Sequence, residues 1–128
     1  LGIEHGATFV AERDNVLVGF CEAIPGEILA VYVDPAWARQ GVGTALLSQA
    51  WEHAAAPGGV VRLEATLNAT AFYEHLGFRA RSRSTVRRND VDVGVVIMDK
   101  QAGSPQTGPT RHRSRAIISL RHAAQVDR

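Results

Sequence analysis

The chain has one cysteine, Cys21, in 128 residues. A disulfide within the chain is therefore excluded. With no partner cysteine or histidine at useful spacing, Cys21 reads as a small core residue. No apolar run approaches the ~18–20 residues a membrane-crossing helix needs, and no secretory leader is visible. A cytoplasmic protein with no membrane partner is the default expectation. There is no internal repeat, and no acidic cluster points to a polycationic substrate. The sequence opens on Leu1 rather than methionine, so further residues are expected upstream in the natural product.

The length suits one domain with a real core. A hydrophobic content of 45% and a charged content of 21% are ordinary globular values. The net charge of +1 conceals an asymmetry, because residues 101–128 hold five arginines and one aspartate. Residues 1–100 form a mildly acidic body and residues 101–128 a basic tail. The tail opens with QAGSPQTGPTRHRSR, which lacks apolar residues and reads as disordered. Residues 116–126 could form a short basic amphipathic helix. A solvated tail is the main reading, and a nucleic-acid contact through Arg111, Arg113, Arg115 and Arg121 is the weaker alternative.

The body is organised around residues 28–47, ILAVYVDPAWARQGVGTALL. Its first six residues are an apolar, β-branched run that suits a strand buried on both faces. Asp34-Pro35 ends that strand, since proline has no N–H for the ladder. Gly41 and Gly43 then open a helix through Ala50. The unpaired N–H groups of its first turn, with the positive end of its dipole, make an anion site, and the glycines let a ligand approach the backbone. A phosphate or pyrophosphate is the expected occupant. No lysine follows either glycine, so this is not a P-loop. The dinucleotide pattern GxGxxG/A fails at Leu46, although Glu64 lies at the spacing that pattern asks for.

In chain order, residues 7–12 and 16–24 read as strands around the turn signal Arg13-Asp14-Asn15. Pro25-Gly26 makes the next turn. Val42, Leu46, Ala50 and Ala54 repeat every four residues, with Leu47 and Trp51 beside them, so the helix over 41–56 has one apolar face. Pro57-Gly58-Gly59 stops it. Residues 60–66 form a strand expected to lie parallel to the strand from Ile28. Asn68 is a good N-cap for a short helix that ends at Gly77. Residues 79–87 and 91–98 read as a last hairpin, with Arg79, Arg81 and Arg83 on a solvated face.

Two of these segments resemble the GNAT superfamily of acetyl-CoA-dependent N-acetyltransferases. VYVDPAWARQGVGTALL is similar to its strand-V-x-P and R/Q-x-x-G-x-G/A signature. LNATAFYEHLGF is similar to its N-x-x-A-x-x-F-Y-x-x-x-G-F segment, and VVIMDK to its last strand. The resemblance covers roughly residues 7–100. It implies an α+β fold with a mixed, mostly antiparallel sheet of about six strands and flanking helices, lacking the N-terminal strand and helices of the family. It implies acetyl transfer from acetyl-CoA, as co-substrate and without a metal, to a small-molecule or peptide amine by direct attack in a ternary complex. The alternative is an acyl-CoA-binding module without catalysis. A homodimer is left open.

The resemblance also implies roles. Backbone N–H groups of Gln40, Gly41, Val42, Gly43 and Thr44 would hold the pyrophosphate, with Arg39 as a charged helper. The backbone at Val31, Tyr32 and Val33 would pair with the pantetheine arm, where two parallel strands splay apart. Asn68 would bond that arm or nearby backbone, with Ala71 beside it. Tyr73 would protonate the leaving thiolate, and a backbone N–H near Val33 would bond the thioester carbonyl. A thioester is already activated, so the protein mainly positions the amine, polarises the carbonyl and supplies one proton. Core packing is the rival reading of Tyr73, and Phe72 is expected in the core. For the amine, Glu27 is the first positional candidate as base and Glu22 the second. Each also reads as a solvated strand residue, and a water chain could replace both. One departure from the signature is Ala38, where the family has arginine or glutamine.

Overall fold

The computed structural model describes residues 6–103 and the backbone of residues 119–122. Three antiparallel strands come first: β1 (Ala7–Arg13), β2 (Val16–Ile24) and β3 (Glu27–Val33). Asp14 and Asn15 join β1 to β2 with φ of 53° and 66°. Two left-handed residues match the twist of the flanking strands, and Asp and Asn tolerate that conformation. After β3, Asp34 caps a 3₁₀ turn at Pro35–Trp37, its carboxylate accepting the Ala36 N–H at 2.9 Å.

Helix α1 (Val42–Ala54) crosses from β3 to β4 (Val60–Thr66). A 3₁₀ turn, Leu67–Ala69, leads into the six-residue helix α2 (Thr70–His75). The hairpin β5 (Arg79–Arg88) and β6 (Val91–Gln101) closes the body, and its turn again uses two left-handed residues, Asn89 and Asp90. The strand order is β5-β6-β4-β3-β2-β1-β7. Among the described residues β3 and β4 form the one parallel pair. This is the mixed, mostly antiparallel sheet with flanking helices that the sequence resemblance implied.

Several expectations need correction. In place of part of a helix over 116–126, Ser119–His122 is a strand, β7, antiparallel to β1 from Glu12↔Ser119 to Phe9↔His122. Residues 104–115, most of the stretch expected to be disordered, lie outside the described residues, as do 116–118 and 123–128. Asn68 sits inside the 3₁₀ turn; the N-cap of α2 is Ala69, and Asn68 instead accepts a 2.9 Å bond from the Thr66 hydroxyl. Arg79, Arg81 and Arg83 are all exposed but share no single face. Arg81 is inserted between Ala80↔Met98 and Ser82↔Ile97, so the alternation reverses after it.

The core lies between α1 and one face of the sheet. The α1 stripe is Val42, Leu46, Leu47, Ala50 and Ala54, as its four-residue spacing required. The sheet contributes Cys21, Ala23 and Ile28, and alternate residues Val61, Leu63 and Ala65 of β4. The Cys21 thiol donates to the Leu46 carbonyl at 3.2 Å, and burial pushes its pKa up to about 11. The helix approaches so closely at β2 that a Cβ on Gly19 would lie 2.6 Å from the Tyr32 carbonyl oxygen and 2.9 Å from Leu46 Cδ1. The opposite face of the sheet carries no helix among the described residues, and Leu29 and Tyr32 are about half exposed there.

Candidate functional site

The sheet is open along one seam. β4 pairs with β6 along its whole length, from Val60↔Gln101 to Thr66↔Val95, and β3 pairs with β2 along its own. Between them β3 and β4 share a single pair, Glu27↔Arg62. From that closed end the two strands diverge toward Val33 and Thr66. The inner edges of both strands therefore carry backbone N–H and C=O groups with no ladder partner, a template for an extended amide-bearing chain. β3 is also irregular, since Leu29 is inserted between Ala23↔Ile28 and Glu22↔Ala30. Such a bulge re-aims backbone groups.

At the wide end of the slot, α1 begins. Gly41 is its N-cap at φ 87°, no side chain caps it, and no acidic residue stands in its first turn. The first intrahelical bond of this turn is Ala45 N–H to Gly41 O, at 3.0 Å. The N–H groups of Val42, Gly43 and Thr44 are left free by helix geometry, facing an anion site. Arg39 lies just before them, exposed, with φ 63° and no ion pair among the described residues. Gln40 is exposed beside it. The two glycines have different causes. Gly41 is required by its left-handed φ. A Cβ on Gly43 would lie 3.3 Å from Phe72 Cζ and 3.4 Å from Val33 Cγ2, so its missing side chain makes room for the Phe72 ring.

Helix α2 borders the same end. The burial of its aromatics is the reverse of the expectation for Phe72. Tyr73 is buried, its ring 5.1 Å from Phe72 and 5.9 Å from Phe78, while Phe72 is over one-third exposed and reaches across to α1. Successive helical residues point about 100° apart, so only one of the two can face the sheet. The Tyr73 hydroxyl makes no hydrogen bond, yet no described polar side-chain atom is both fully buried and unpartnered, so its oxygen reaches accessible space. Burial raises its pKa above the usual tyrosine value. Asn68 is exposed on the approach to this helix, and Ala71 is exposed within its first turn.

The structure brings Val31, Val33, Gly41 to Thr44, Asn68 and Tyr73 to the wide end of the slot. Val31 and Val33 lie on the α1 side of β3, whereas Tyr32 lies on the opposite face and stacks with Phe20 at 5.6 Å. Glu27 is at the closed end, away from Tyr73. Glu22 lies opposite Ala30, just past the bulge, and accepts a long bond of 3.5 Å from Thr8. A third carboxylate was missed as a candidate base. Glu64 stands midway along β4, between buried Leu63 and Ala65, so it faces the helix-free side. Its nearest cation, Arg88, is 3.9 Å away. Strand alternation along β4, which sets Glu64 on the face opposite Leu63 and Ala65, was the signal that could have found it. Among the described residues no group of three or more His, Cys, Asp or Glu could hold a metal.

Comparisons with known proteins agree with this fold. The family model of the acetyltransferase (GNAT) domain matches residues 4–80. A GCN5-related N-acetyltransferase from Rhodopseudomonas palustris is 31% identical, with a TM-score of 0.70 over 74% of this chain and 61% of that one. Nourseothricin acetyltransferase is 25% identical, with a TM-score of 0.64 over 76% of this chain and 65% of that one. The chain thus spans under two-thirds of the length of either. The ribosomal-protein-S18-alanine N-acetyltransferase of Escherichia coli, 22% identical, shares the fold, with a TM-score of 0.60 over 86% of this chain and 76% of that one. No curated protein matches. No helix among the described residues is long and apolar enough to cross a membrane.

Proposed function

The chain belongs to the GNAT acetyltransferase family, and we propose that it moves an acetyl group from acetyl-CoA to a primary amine by direct attack in a ternary complex. The observation that carries this reading is the slot: two parallel strands joined at one pair, opening onto an uncapped helix start. The amides of the pantetheine arm pair with the inner edges of β3 and β4. The pyrophosphate takes the free N–H groups of Val42, Gly43 and Thr44, with Gln40 and Arg39 alongside. Asn68 and Ala71 border the arm. The thioester carbonyl is polarised by an N–H of β3 released from the ladder, and the bulge at Leu29 favours one in mid-strand over one beside Val33.

Helices α1 and α2 fill one side of the slot, so the amine, small molecule or peptide, comes from the helix-free face. Its attack on the carbonyl carbon breaks the C–S bond, and the departing thiolate takes the Tyr73 proton. A tyrosine held neutral by burial keeps that proton available across the working pH range. The base, where the reaction uses one, comes from the open face. Glu64 stands on the slot wall, Glu22 one strand away, and Glu27 at the closed end.

The test is thiol release from acetyl-CoA across a panel of amines, with Gly41→Glu and Gly43→Glu beside the unaltered chain. Each variant puts a carboxylate against the phosphate turn, and Gly43→Glu also collides with Phe72. Both are expected to lose acetyl-CoA binding. Unchanged binding in both refutes the phosphate turn. Binding with no turnover on any amine makes the chain an acyl-CoA-binding module instead.

A further inference from the structure

The β5–β6 hairpin does not stay in the plane of the sheet. Glu64 of β4 lies opposite Ile97, and Arg88 of β5 lies opposite Val91. Six steps along β6 separate those positions, ~20 Å on a straight strand. That is more than an arginine and a glutamate side chain can span together, yet the Arg88 guanidinium is 3.9 Å from the Glu64 carboxylate. The far end of the hairpin therefore curls over the helix-free face. Burial agrees: Val95 shares that face with Thr66, no described helix covers it, and it is only 5% exposed. Ser84, Val86 and Arg88 alternate opposite Val95, Val93 and Val91 without a bulge, so Val86, Val93 and Arg88 share this inner face.

The hairpin end thus forms a wall beside the slot, on the side from which the amine enters. Its chemistry is mixed. Val86 and Val93 are half-buried and make an apolar floor. Arg88 and Glu64 attract each other without a hydrogen bond, because 3.9 Å is too long for one. The guanidinium has five N–H donors, and its one hydrogen bond among the described residues is a long contact of 3.4 Å to the Arg87 carbonyl. Both charged groups therefore keep hydrogen-bonding capacity, side by side. Arg62 faces the same side, two residues nearer the closed end, but makes no ion pair with Glu64 among the described residues. Arg87, on the outer face of the hairpin, is paired with Asp92 at 2.7 Å.

We infer that Arg88 selects the acceptor, and that the acceptor is an α-amino acid with an apolar side chain. Its amine lies toward Glu64, its carboxylate on Arg88 and its side chain over Val86 and Val93. Amine and carboxylate stand on one carbon, so they match two opposite charges held side by side. A polyamine or a lysine side chain brings no anion to Arg88 and meets a cation at the slot mouth. The inference rests on the acetyl-transfer reading above and on Glu64 as the carboxylate that receives the amine.

The experiment compares kcat/KM of the full chain for leucine, leucinamide and 3-methylbutylamine, by thiol release from acetyl-CoA. All three carry the same side chain, and only leucine carries the carboxylate. The leucinamide amine loses its proton more readily, so intrinsic reactivity favours the amide. One charge-assisted contact at a partly exposed site predicts leucine ahead by roughly tenfold. Arg88→Gln is expected to raise the leucine KM by a similar factor with kcat within about twofold, and to leave the other two substrates unchanged. Arg87→Gln is expected to change none of the three. Turnover of leucinamide by the unaltered chain that equals or exceeds that of leucine overturns the inference and leaves acetyl transfer standing; that comparison needs no variant to fold. A loss shared by all three substrates in Arg88→Gln overturns it too, since a merely structural role would act on all alike. No turnover of any amine overturns the inference and the acetyl-transfer reading together.

Discussion

Gly19→Ala is expected to damage both the fold and the slot. The added methyl would stand 2.6 Å from the Tyr32 carbonyl oxygen, 2.9 Å from Leu46 Cδ1 and 3.3 Å from Val42 Cγ1. The first contact is with backbone and cannot be relieved by a rotamer. The second is with a fully buried leucine. Either β3 moves away from β2 or α1 lifts from the sheet. Overpacking of this kind costs about 1–3 kcal/mol, and a backbone contact belongs at the upper end. The lower entropy of an unfolded chain with alanine returns about 0.5–1 kcal/mol. A net loss of about 2 kcal/mol corresponds to about 6–10 °C in Tm for a domain of this size. Because β3 is a wall of the slot, weaker acetyl-CoA binding accompanies the lower Tm. Gly26→Ala is the control. Gly26 has φ 87° and nothing within 4 Å of a Cβ, so the cost is left-handed strain alone, about 1 kcal/mol, with acetyl-CoA binding intact. Thermal melts with titrations on both variants read the contrast. A Gly19→Ala melt within 2 °C of the unaltered chain, or below-control damage at Gly19, refutes the packing argument, since the scale at this size is about 3–5 °C per kcal/mol.

Tyr73→Phe is expected to lower kcat about 10–100-fold with acetyl-CoA affinity nearly unchanged; unchanged turnover makes Tyr73 a packing residue. The folded chain holds the Cys21 proton to about pH 11 while the unfolded chain releases it near 9.0, so this stability is complete below pH 9 and falls as pH rises toward 11. The loss is about 2–3 kcal/mol in denaturant melts across that window, and Cys21→Ala is expected to flatten the slope between pH 9 and 10; an unchanged slope contradicts the assignment. Among Glu64→Gln, Glu22→Gln and Glu27→Gln, the first is expected to lower kcat about 10–100-fold and the last to leave it unchanged, with acetyl-CoA affinity intact in all three. The opposite result moves the base to the closed end of the slot.

The elements that local chemistry dictates were legible in the sequence. Asp14-Asn15 and the Asn89-Asp90 turn announce their hairpins, and the four-residue spacing from Val42 to Ala54 announces the buried face of α1. The glycine start of α1 and the parallel strand after it followed from Gly41 and from strand–helix–strand order. What was not legible depends on how elements meet. Nothing local says that Leu29 and Arg81 are bulged, since both continue an unbroken strand pattern. The divergence of β3 from β4 came only with the family resemblance, because it is a property of two strands separated by a helix in sequence, and the crowding that demands glycine at position 19 comes from Tyr32, Val42 and Leu46, on other elements. Phe72 was misjudged because two adjacent aromatics in a short helix have no periodicity to tell which one faces inward. Glu64 was passed over because its role depends on the strand beside it.

The most direct test of the acetyl-CoA reading is the stoichiometry of acetyl-CoA binding to the folded chain by isothermal titration, repeated with Gly41→Glu. The slot and the free N–H groups of α1 predict one saturable site that the variant loses. A folded chain that gives no binding, or a variant that binds as well as the original, contradicts it.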